Sequence, residues 1–293
     1  MATTDHRKKY LCHHGLLLPK VALSEESIQF SMAFEVQDDD IFAVTYPKSG
    51  TTWMQEILPL ILNGGDLTPV QTIPNWDRVP WLGGPRAPLV LGDRPPPRVM
   101  VSHWPYHLMP PSFYTSKAKV IYVTRNPKDT AVSSFHFHGM ASYLDDPGTF
   151  DQFLDKFLSR QVIYGKWTDH VKSWRNTDIE GRILYMTYDA AVFLQDLRAA
   201  VLRMAQFLGR ELSPDILEKV VDHCQFNNMK TNIMSNYSLV PKDIMDTGKS
   251  LFLRKGTTGD WRNHFNAEQE ARFSAIIKKE MEGTSFKFPW DDE

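Results

Sequence analysis

The chain has 293 residues, is 42% hydrophobic and 23% charged, and sets 33 Lys and Arg against 35 Asp and Glu, for a net charge of −2. Balanced charge gives no basis for binding nucleic acid or an anionic membrane, and no stretch approaches the roughly 18 apolar residues of a membrane span. Cys12 and Cys224 lie too far apart for a metal motif or a disulfide framework, and the N-terminus lacks an apolar signal region, so the expectation is a cytosolic protein folded as one domain over residues 1–293.

Residues 1–40 read as an irregular lead-in, with Phe30 and Phe34 free to pack or to line a pocket. Ile41-Phe42-Ala43-Val44-Thr45-Tyr46 is a short run of strand formers suited to a buried parallel sheet. Pro47-Lys48-Ser49-Gly50-Thr51-Thr52 follows as a tight loop, and Trp53 to Leu62 reads as a helix. Such a loop aims backbone N–H groups, a helix N-terminus, hydroxyls and one ammonium at a single point, which suits a phosphate or a sulfate. Its lysine precedes its glycine by two positions, the reverse of the order in a nucleoside-triphosphate loop. The alternative is a capped strand–helix turn with a solvated lysine.

Prolines at 69, 74, 80, 85, 88, 95, 96 and 97 make residues 68–98 a loop, expected to exclude helix interior and central strand and to serve as a lid whose apolar face includes Trp76, Trp81 and Leu82. Arg98 to Ser102 is a second strand. His103 follows it, beyond the carboxyl end of a strand, where ligands collect in open α/β sheets. A third strand, Lys119 to Thr124, runs into Arg125-Asn126-Pro127, with Pro127 opening a helix through His136.

Phe150 to Arg175 has a helical pattern, with Phe150, Phe153, Leu154, Phe157 and Leu158 assigned to core. Arg182 to Tyr188 is a fourth strand, with Asp189 placed to cap a helix reaching Leu208. Leu212 to His223 is a helix capped by Ser213 with Pro214 first in it. Strand alternating with helix predicts an α/β fold with a central parallel sheet flanked by helices. Near the C-terminus, Arg254-Lys255-Gly256-Thr257-Thr258-Gly259-Asp260-Trp261 offers two cations before a glycine. That is either surface charge or a second anion site.

Taken together, Y-P-K-S-G-T-T-W, R-N-P-K-D and R-K-G-x-x-G-D-W occur in the order found in the cytosolic sulfotransferases, and the resemblance covers the chain from about residue 25 to its end. It implies a single sulfotransferase domain of P-loop-like fold, with 3′-phosphoadenosine 5′-phosphosulfate (PAPS) as donor, PAP as product and no metal. By that resemblance Lys48, Ser49, Gly50, Thr51, Thr52 and Trp53 hold the 5′-phosphosulfate, with Trp53 also against the adenine. Arg125, Ser133, Arg254, Lys255 and Gly256 hold the 3′-phosphate, and Tyr188, Phe226 and Met229 flank base and sugar. Cys224 stands where most relatives have serine or threonine, which puts one hydrogen bond to the nucleotide in doubt.

His103 matches the family's general base, Lys48 its leaving-group cation, and Ser133 the hydroxyl that restrains Lys48 until acceptor binds. Metal binding by His136 and His138 has no third ligand nearby in sequence. Val101-Ser102-His103 resembles the hydroxysteroid and alcohol branch more than the phenol branch, so the expected acceptor is a small lipophilic alcohol contacting Trp76, Trp81 and His103. A phenol acceptor, a kinase and a silent nucleotide-binding module are the competing readings. The stretch Arg262 to Ala271 departs from the family's dimer motif at Asn266, Ala267 and Ala271, which predicts a monomer or a weak homodimer.

Overall fold

The computed structural model describes residues 9–179, 181–188 and 196–291. It begins with an antiparallel hairpin of β1 (Tyr10–His13) and β2 (Leu16–Pro19), then α1 (Glu25–Ala33), so from residue 9 on the stretch read as an irregular lead-in carries regular elements. Local chemistry accounts for it. Leu18 is buried as the end of a short apolar run, and Ser24 opens α1 with a reciprocal capping box to Ser27.

The central sheet has the order β4-β3-β5-β6, all parallel, from β3 (Ile41–Thr45), β4 (Val99–Ser102), β5 (Lys119–Thr124) and β6 (Ile183–Thr187). Every residue of β3 and β4 is buried, as continuous apolar runs require of a sheet covered on both faces. Helix α2 (Thr51–Leu62) leaves β3 through a turn in which Gly50 has φ +106°. Its apolar face joins Ile41, Ala43, Val101 and Ile121 in one core, and Phe42, Val44, Val120 and Tyr122 pack on the sheet's other face.

The proline-rich stretch, read as a loop, holds three short helices, with prolines at their starts and none in their interiors. It forms α3 (Thr68–Thr72), α4 (Asn75–Arg78) and α5 (Ala87–Leu91), with Pro69 and Pro88 in the first turn and Pro74 at the cap. Proline breaks a helix interior but suits its start, where no N–H is owed. The lid is therefore a chain of short helices. It is fixed by Arg78, which is buried and paired with Glu56 of α2.

After β4 comes α6 (Pro111–Thr115), and after β5 comes α7 (Pro127–Met140), begun by Asn126 accepting from Lys128 N. The segment read as one helical pattern divides into α8 (Phe150–Leu158) and α9 (Trp167–Arg175). Between them Arg160, Tyr164 and Gly165 take positive φ, which no helix tolerates. Asp189 lies outside the described residues, and the cap of α10 (Leu197–Leu208) is Asp196, which accepts from Ala199 N. Helices α11 (Pro214–His223), α12 (Phe226–Thr231) and α13 (Ala267–Met281) complete the fold.

Candidate active site

The loop after β3, the ends of β4, β5 and β6, and the Arg254 loop open into one cavity of about 440 Å³. Its position beyond the carboxyl ends of parallel strands follows from the fold. One part is polar and belongs to the loop and its cations. The other is aromatic, walled by Trp76, Trp81, Tyr143, Tyr164, Tyr237 and Phe252.

The polar part is shaped by two glycines. At Gly50 a Cβ would stand 2.7 Å from the Tyr188 ring, and at Gly256, with φ +66°, it would stand 2.2 Å from the Phe226 ring. Each glycine therefore lets backbone approach an aromatic face that a side chain would block. Trp53 lies 5.3 Å from Tyr188 and 6.3 Å from Phe226, between rings, so the three form an aromatic recess at the start of α2. Trp53 is fixed there by donating from Nε1 to the Cys224 carbonyl at 2.8 Å.

Four cations face this recess. Arg125 donates to the Lys48 carbonyl at 3.0 Å and stacks 4.7 Å from Tyr188, while its Nε is buried with no partner among the described residues. Arg254 and Lys255 both donate to Asp260, at 2.6 Å each. Burial opposes ionisation of that carboxyl, yet hydrogen bonds from Lys255, Asn263 and Arg254 hold it well below the usual carboxylate range. Lys48 is the fourth. Burial, with Arg125 and Arg254 nearby, pushes its amine down to about 7.

Asp129 joins two of the motifs physically. Its carboxylate accepts from Gly259 N at 2.7 Å and Trp261 N at 3.0 Å, so the first turn of α7 anchors the loop that presents Arg254. Neither Asp129 nor Asp260 was assigned a role from sequence, although both letters are inside the motifs.

His103 sits where the two parts of the cavity meet. Its Nδ1 lies 2.6 Å from the Thr45 carbonyl, which can only accept, so Nδ1 carries the proton and Nε2 the lone pair. Burial pushes its pKa down to about 3, with Lys48 adding to the effect. Trp81 and Tyr164 flank the ring at 4.5 and 5.0 Å. Tyr164 escaped sequence reading because its position depends on the positive-φ break after α8. Its φ of +61° has no signal in the letters themselves.

Of the residues singled out by sequence, Lys48, Gly50, Thr51, Thr52, Trp53, Trp76, Trp81, His103, Arg125, Ser133, Tyr188, Phe226, Met229, Arg254, Lys255 and Gly256 all line this cavity. Two do not. Ser49 has its hydroxyl buried without a partner among the described residues, and the Cys224 side chain lies in the core beneath α2. Cys224 contributes through its carbonyl, which any residue supplies.

The family model for the sulfotransferase domain matches residues 38–285. The chain belongs to the sulfotransferase family. Sulfotransferase 2B1 of Mus musculus is 45% identical over 284 residues, covering 97% of this chain and 83% of that protein. The 3-beta-hydroxysteroid sulfotransferase of Cavia porcellus is 40% identical, covering 96% of this chain and 98% of its own. Among solved structures, mouse sulfotransferase SULT7A1 complexed with PAP superposes with a TM-score of 0.78 at 29% identity, covering 94% of this chain and 95% of that one. The chain is thus a sulfotransferase enzyme, with a single α/β domain around a central parallel sheet, and the kinase and silent-module readings fall away.

Proposed function

We propose that this sulfotransferase moves the sulfuryl group of PAPS to the hydroxyl of a small lipophilic acceptor, a hydroxysteroid or related alcohol, with His103 as general base. The observation that carries this reading is the placement of a neutral imidazole, Nε2 free, between a cationic loop and an aromatic chamber. The residues fit the donor: glycine-opened backbone at Gly50 and Gly256, an aromatic recess for a purine, and a cluster of cations for phosphate oxygens. When bound, PAPS supplies the sulfuryl group and departs as PAP.

The protein's part follows from its geometry. His103 Nε2 takes the acceptor's proton as that oxygen attacks sulfur, and the Thr45 carbonyl fixes the tautomer that makes this possible. Lys48, Thr51 and Thr52 face the phosphosulfate, where the ammonium neutralises charge developing on the leaving oxygen. Arg125, Arg254 and Lys255 hold the 3′-phosphate. That requires Asp260 to share its two cations with the nucleotide. Trp81, against His103, presses the acceptor hydroxyl toward the base.

The steroid or alcohol preference is supported by the relatives named as 3-beta- and 3-alpha-hydroxysteroid sulfotransferases. Among the described residues no helix is long and apolar enough to cross a membrane, and Cys12 and Cys224 are free thiols, which supports a cytosolic setting. The test is a matched panel with PAPS. A 3β-hydroxysteroid should give at least a tenfold higher kcat/KM than a simple phenol, and the reverse order would assign the chain to phenols.

A further inference from the structure

Sequence reading assigned Ser133 to restrain Lys48, yet no hydrogen bond joins the two among the described residues. The Lys48 ammonium lies instead over two rings, 3.8 Å from the centroid of Phe252 and 4.4 Å from that of Phe137. The rings meet edge to face at 5.8 Å and 84°. The residue's backbone is itself unusual, with φ +68°, a region that a long side chain rarely enters, so the turn aims the ammonium at this spot.

Holding a charge there is costly. Lys48 is half-buried in the cavity wall, and Arg125 and Arg254 repel its ammonium, yet no carbonyl or carboxylate among the described residues accepts a hydrogen bond from it. Two negative ring faces are the compensation the fold provides. They also solve a catalytic problem. An ammonium bound to an oxygen of the protein must break that bond before it serves the leaving oxygen, whereas one lying against a ring face keeps its N–H donors uncommitted.

We propose that Phe137 and Phe252 are positioning residues for Lys48, holding its ammonium in place beside the phosphosulfate loop without engaging its donors. This rests on the reading of Lys48 as the leaving-group cation. The two rings come from different parts of the molecule. Phe137 lies one turn beyond Ser133 on α7, and Phe252 stands two residues before Arg254. Phe252 also packs 4.1 Å from Tyr237, which packs 5.5 Å from Trp76, so the acceptor chamber supplies one wall of the cation's seat.

The charged or titratable groups facing Lys48 are Arg125 from the end of β5, Arg254 from the C-terminal loop, His103 from the end of β4 and His138 from α7. Burial keeps both histidines neutral, pushed down to about 3 and about 4, so Lys48 is the member of this group that changes charge near neutrality. Because ring faces favour the ammonium, removing one must lower the amine's pKa.

The experiment compares wild type with Phe137→Leu, Phe252→Leu, Phe252→Tyr and Lys48→Met. It reads the alkaline fall of kcat/KM for PAPS, and the proton uptake on binding PAP, by calorimetry in two buffers of different ionisation enthalpy. In each Leu variant the fall should begin about half to one pH unit lower, and uptake at neutral pH should increase. Phe252→Tyr keeps a ring face and should retain the wild-type profile. Lys48→Met should lose the uptake. Leu variants that bind PAP with wild-type uptake and an unmoved alkaline limb would overturn the proposal, and a Phe252→Tyr profile moved as far as that of Leu would do the same. Wild-type turnover in Lys48→Met would instead overturn the role given to Lys48, whatever the rings do.

Discussion

The two parts of the cavity are built on opposite principles. The donor part depends on backbone: a left-handed Gly50, a left-handed Gly256 with a ring in the space its Cβ would take, and a helix N-terminus. The acceptor part depends on side-chain surface contributed by the lid helices, the break after α8 and the loop between α12 and α13. A backbone requirement leaves few permitted residues at a position, whereas an apolar wall accepts any side chain of suitable volume. Donor chemistry is therefore encoded in short strings of letters. Acceptor chemistry is spread over segments that only folding brings together.

That difference yields predictions on each side. Among the binding effects the largest belongs to the donor. Arg125→Ala or Arg254→Ala should weaken PAP binding by about 1.5–3 kcal/mol each, roughly 10- to 150-fold, as expected for a charge-assisted hydrogen bond. The loss should shrink for adenosine 5′-phosphosulfate, which lacks the 3′-phosphate. Titration calorimetry with both nucleotides decides it, and equal losses would show that these arginines do not read that group.

On the acceptor side a single residue should matter less. Trp81→Ala, which removes the ring against His103, is expected to raise the acceptor KM roughly 5- to 20-fold, within the range of truncating a large apolar contact, while PAP affinity stays within twofold. A comparable change in PAP affinity would mean that the two parts are not separable at Trp81. The smallest effect concerns assembly. In the stretch that departs from the family's dimer motif, Asn266 caps α13 and Glu270 pairs with Lys128 of the same chain at 3.0 Å, so both are used internally. Light scattering at sub-micromolar concentration should report a monomer, or a dimer that dissociates on dilution, and a stable dimer there would contradict this.

How far the fold was legible follows the same division. The four strands of the sheet and the Ser213-capped helix were readable because buried apolar runs and caps are local signals. The lid helices were missed because proline density, which excludes a long helix interior, was read as a loop, although Pro69, Pro74 and Pro88 all stand at the starts of short helices. The N-terminal hairpin was missed because four-residue strands carry almost no periodicity. In the site, motif letters pointed to residues that gather in one cavity. What they did not reveal were contacts across the chain, Asp129 on the Gly259 loop and Phe252 on Lys48. No local pattern records a pairing between residues more than a hundred positions apart.

The role of His103 is the claim on which the account most depends, and a rapid-quench single turnover with saturating PAPS and a hydroxysteroid tests it. With burial holding its pKa at about 3, the imidazole remains an unprotonated base throughout pH 5–8, so wild-type turnover should show no acid limb from this group in that window. His103→Ala should slow the sulfuryl-transfer step by roughly 10²–10⁴-fold while PAP affinity stays within twofold. A variant that transfers sulfate within a few-fold of wild type would contradict the account.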